Sequence, residues 1–119
     1  MQKKSEKNNK TVWVIQNDWE DRHGDSDSSA KTFSTREKAA KRLEADIREY
    51  LDNYGAVTSE GNIDLDCTVT RILADDIEET SGDFPVDQFI TAAVKGEWAD
   101  IFIDDDTFSR WSIEEQEVA

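Results

Sequence analysis

Residues 34–55 read STREKAAKRLEADIREYLDNYG, and this stretch decides the fold class. Apolar side chains recur at Ala39, Ala40, Leu43, Ile47, Tyr50, Leu51 and Tyr54. Steps of three and four put them on one stripe of an amphipathic helix. Ser34 and Glu37 have capping-box spacing, with Ser34 as N-cap. Gly55 stands where a helix end takes a left-handed residue. Glu37/Lys41 and Glu44/Arg48 are i,i+4 pairs in the favourable orientation. A helix is expected from Thr35 to Tyr54, and its apolar stripe needs a surface to pack on.

The flanking segments supply that surface as strands. Upstream, Thr11 to Gln16 reads TVWVIQ, β-branched and aromatic, with four apolar residues in a row. Such a run suits a central strand covered on both faces. Asp18 to Ser29 reads as a loop of Asp, Ser and Gly, and Ala30 to Phe33 as a short strand returning on the first. Residues 1–10, MQKKSEKNNK, have the composition of a disordered tail.

Downstream, Leu65 to Ala74 alternates as a strand would, with Cys67 inside it as a buried thiol. Val86, Phe89, Ile90, Ala93 and Val94 mark a second helix, with Pro85 near its first turn and Gly96 just beyond its end. Trp98 to Ile103 and Thr107 to Glu117 form a last hairpin around Asp104-Asp105-Asp106. Trp98 and Trp111 are expected to pack across it.

The expected order is β-β-α-β-α-β-β. This gives an α+β domain over residues 11–117: an antiparallel or mixed sheet of four or five strands with two helices on one face.

Charge is the most unusual feature. Acidic residues number 28 and basic ones 14, for a net charge of −14. A field of that sign disfavours nucleic acid and anionic membranes and allows basic partners. Residues 1–60 carry a net −1 and residues 61–119 a net −13, so the excess follows the first helix. The chain has one cysteine and no signal-like or spanning apolar run, which makes the cytoplasm the expected location.

Motifs for chemistry are sparse. His23, the single histidine, lies among Asp, Ser and Gly, where it is solvated by default. A Cys67–His23 nucleophile needs a reactive thiol, and mid-strand burial disfavours one. Asp25, Asp27 and Ser29 begin like a calcium loop. The sixth and twelfth positions of that pattern are Ala30 and Arg36, not the required Gly and Glu. No enzymatic activity, metal or cofactor is expected.

The remaining surface signals are acidic loops and one tryptophan. Asp75, Asp76, Glu78, Glu79, Asp83, Asp104, Asp105, Asp106 and Trp19 are the expected partner-binding residues. The expected function is a non-enzymatic acidic module, monomeric or weakly dimeric, that binds a protein partner. In its sharpest form it inhibits a basic nucleic-acid-binding protein by carrying carboxylates in place of phosphates. In size and charge, though in no motif, the chain is similar to anti-restriction and anti-CRISPR proteins. Two other readings compete: an adaptor or regulator whose acidity serves only solubility, and a carboxylate-based metal-binding protein.

Overall fold

A computed structural model describes residues 10–118. Its elements are β1 (Lys10–Glu20), β2 (Ser26–Phe33), α1 (Arg36–Asn53), β3 (Asn62–Asp64), β4 (Arg71–Ala74), β5 (Ile77–Glu79), β6 (Asp83–Pro85), α2 (Val86–Gly96), β7 (Trp98–Asp104) and β8 (Thr107–Val118). Six strands form one sheet in the order β2-β1-β8-β7-β4-β5, and β3 pairs with β6 in a second, small sheet. All these pairs are antiparallel. The α+β class is as expected, but the strand count is larger and the order differs.

Two segments account for the difference. Leu65 to Ala74 is not one strand. Asp64 Oδ1 accepts the Asp66 and Cys67 N–H groups at 3.2 and 2.9 Å, which turns the chain out of the extended state before β4 begins. Cys67 is therefore exposed, not buried. The stretch read as an Asp/Ser loop is largely strand. β1 runs on to Glu20 and β2 starts at Ser26, because β1 is held on its other side by β8 along its full length. Lys10, assigned to the tail, opens β1 opposite Val118, and residues 1–9 lie outside the described residues.

The helix ends show the local chemistry. Thr35, not Ser34, caps α1, its Oγ1 accepting the Lys38 N–H at 3.2 Å. Gly55 has φ +63° and donates to the Asp52 carbonyl at 3.0 Å, while Ala56 donates to Leu51 at 2.9 Å. These two bonds are a Schellman closure. α2 includes Gly96, and Glu97 takes the left-handed conformation at its end, with φ +66°. Gly96 is needed for space. A Cβ built there falls 2.3 Å from Asp75 Cβ.

Both helices lie on one face of the sheet. Leu43, Ile47 and Leu51 from α1 and Phe89 from α2 are fully buried with Ile72, Ala99, Ile101 and Ile113. Full burial of such a side chain is worth roughly 1.5–3 kcal/mol. Arg48 fastens the helices together by binding Asp87 and Glu44, and hydrogen bonding to Asp87 first, then Glu44, raises its pKa.

The other face carries no helix. Trp98 lies there, whereas Trp111, one register position away, faces α1, so the two do not pack across their hairpin. Guanidinium groups partly cover the aromatics of this face. Arg71 lies 4.4 Å from the Phe102 ring centroid and Arg110 5.1 Å from that of Phe108. Among the described residues no helix is long and apolar enough to cross a membrane.

Candidate functional site

Topology gathers charge that the linear sequence separates. The β1–β2 turn and the β7–β8 turn sit at the same end of the sheet, since Glu20 pairs with both Ser26 and Phe108. Glu20, Asp21, Asp25 and Asp27 thereby join Asp104, Asp105 and Asp106. Arg22 ties the two turns together by donating to Asp104 at 2.8 Å. A hydrogen bond from the Asp106 N–H, together with the Arg22 charge, holds the Asp104 carboxyl below the usual carboxylate range.

Beside this acidic end a groove of about 500 Å³ opens between the last turns of α1 and the sheet. Its aromatic walls are Trp19, Tyr50, Tyr54 and Trp111. Tyr50 meets Trp111 edge-on at 5.5 Å and Tyr54 at 5.0 Å between ring centroids. Asn17, on the floor, donates to Ser109 Oγ at 2.8 Å and to the Arg110 carbonyl at 2.9 Å. Arg42, Asp46, Glu49 and Lys31 ring the mouth, with Arg42 paired to Asp46 at 2.9 Å.

Buried polar atoms cluster under this part of α1. Among the described residues Tyr50 Oη, Trp111 Nε1 and Thr107 Oγ1 make no hydrogen bond of normal geometry, although the Tyr54 side chain lies near Tyr50 and the Asp104 carboxylate near Thr107. Such groups cost free energy, of order 1–3 kcal/mol each, and native structures keep few of them. Burial, followed by the nearby Tyr54, raises the pKa of Tyr50. It is a neutral hydroxyl across the physiological range.

The expected partner-binding residues do not form one surface. Trp19 and Asp104 to Asp106 share the acidic end. Asp75 and Asp76 form the β4–β5 turn at the opposite end of β7, where Ala74 pairs with Ala99, ~17 Å along the strand. Glu78 and Glu79 lie on β5, the far edge of the sheet, and Asp83 on β6 in the small sheet. Among the described residues no group of three or more His, Cys, Asp or Glu is placed to hold a metal.

Sequence reasoning missed the groove. Tyr50 and Tyr54 were legible as the end of the α1 stripe, but not as a wall facing open space. Asn17 carried a signal, being a polar residue in phase with Trp13 and Ile15 on the helix-facing side of β1. Comparison with protein-family models, curated proteins and solved structures finds no match.

Proposed function

We propose that this chain is a non-enzymatic protein-binding module that engages a basic partner at the β1–β2 end. One observation carries the reading: two hairpin turns set seven carboxylates beside an aromatic-lined groove. Carboxylates attract Lys and Arg at long range and accept charge-assisted hydrogen bonds from them at contact. Aromatic faces add cation–π attraction for the same side chains. Most of these carboxylates are exposed, so the attraction weakens with salt. In the narrower form of the proposal the partner is a nucleic-acid-binding protein, with these carboxylates occupying its phosphate sites. The metal-binding alternative has less support, since no ligand cluster accompanies the acids among the described residues.

The test is a pull-down from lysate at low and high salt with three proteins: wild type, a triple Asp104→Asn, Asp105→Asn, Asp106→Asn variant, and a double Asp75→Asn, Asp76→Asn variant. The proposal expects a basic nucleic-acid-binding protein to be recovered at low salt, lost at high salt, lost with the triple variant and kept with the double. Salt-resistant capture, or equal behaviour of the two variants, contradicts it.

A further inference from the structure

The sheet has two edges, and they are built differently. β5 is three residues long, a length that blunts an edge. β2 is eight residues, SDSSAKTF, without Pro or Gly, and every residue except Phe33 is exposed. One side of β2 pairs with β1. Among the described residues no strand pairs with its other side, whose N–H and C=O groups are a template for another strand.

The side chains of β2 say which strand fits. Asp27 and Lys31 stand two residues either side of Ser29, on the same face of the sheet. When an antiparallel copy of β2 is laid against this edge with its two-fold axis at Ser29, Asp27 faces Lys31 of the second copy, and the reverse holds. Moving the axis to Ser28 sets Lys31 against Asp25, outside the strand. Moving it to Ala30 sets Lys31 against Ser29. Among two-fold registers, only the one at Ser29 opposes unlike charges within the strand. Cross-strand pairs of unlike charge are favourable, and like charges placed opposite are not. Ser26, Ser28, Ala30 and Thr32, on the other face, are small and do not obstruct a neighbour.

We propose that β2 pairs with β2 of a second copy about a two-fold axis at Ser29, joining the two sheets into one. The contact is isologous. It is also weak, because one eight-residue edge buries less than the roughly 1,200 Å² of a stable complex, and two chains of net charge −14 repel each other. Ser29 and Lys31 line the groove. Pairing therefore sets the two grooves on the same face of the joined sheet and draws each Lys31 toward an Asp27.

Sedimentation equilibrium of the full chain at physiological salt tests the proposal, with circular dichroism to confirm that each variant folds. Wild type dimerises reversibly with a dissociation constant of order 10⁻⁴ M. Lys31→Asp alone and Asp27→Lys alone each weaken self-association by about tenfold, since each sets two pairs of like charge face to face. Mixing the two variants restores a heterodimer of at least wild-type affinity, because every facing pair is then unlike. A wild-type chain that stays monomeric at millimolar concentration overturns the proposal. So does a charge variant that associates as wild type does, or a mixture that fails to recover.

Discussion

The helix-covered face of the sheet is finished differently at its two ends. Under α2, Val86, Phe89 and Ala93 meet Ile72, Ala74, Ala99 and Ile101, and each is at most 2% exposed. Beside the last turns of α1, a groove remains, β2 is exposed from Ser26 to Thr32, and among the described residues three buried polar atoms make no hydrogen bond of normal geometry. The same architecture thus serves stability at one end and is left incomplete at the other. Interiors are normally close-packed and their polar groups paired, so the proposed binding site is sought at the incomplete end.

Substitutions at the packed end should cost most. Phe89→Ala removes a fully buried aromatic and is expected to destabilise the fold by about 3–5 kcal/mol in a denaturant titration. Gly96→Ala drives a Cβ into Asp75, and about 1–3 kcal/mol should be lost as α2 shifts away from the β4–β5 turn. At the open end the sign reverses. Tyr50→Phe deletes a buried hydroxyl that makes no hydrogen bond of normal geometry, and should leave stability unchanged or raise it by up to about 1 kcal/mol. A loss of several kcal/mol there would show that the hydroxyl is paired and erase the contrast.

The smallest effect lies on the uncovered face. Burial raises the pKa of Asp100, and Arg110 and Arg71 offset it only in part. A carboxyl with a raised folded pKa stabilises the fold most in acid, and this contribution is lost as pH rises through the folded value. Asp100→Asn should therefore melt at or slightly above wild type at pH 7. The difference should close as pH falls below the usual carboxylate range, as followed by thermal melts at several pH values.

The sequence made the two helices legible because their signal is local. The Leu43/Ile47/Leu51 and Phe89/Ala93 stripes, Gly55 and Pro85 all act within a few residues. The extension of β1 to Glu20 and the groove beside it were not legible, because their causes are distant in the chain. Asn17 and Trp19 belong to a strand through pairing with Trp111 and Ser109, some 90 residues away. No local propensity announces that. Charge misled in the same manner. Counting placed the acidic excess after residue 60, yet the acidic end of the sheet also draws Glu20 to Asp27 from the nearly neutral half. Trp19 was singled out from the sequence, but not the groove it lines with Tyr50 and Trp111, beside a β2 that among the described residues is an edge strand.

The central claim is that the open end, and not acidity in general, takes a basic partner. Titrating isotope-labelled protein with a short arginine-rich peptide, and following the amide and indole resonances, tests it directly. The account predicts shifts concentrated at Trp19, the β1–β2 turn, Asp104 to Asp106 and Tyr50, and their loss at high salt. Shifts of equal size at Asp75 to Glu79 and Glu114 to Glu117 would contradict it, reducing the acidity to an unfocused charge.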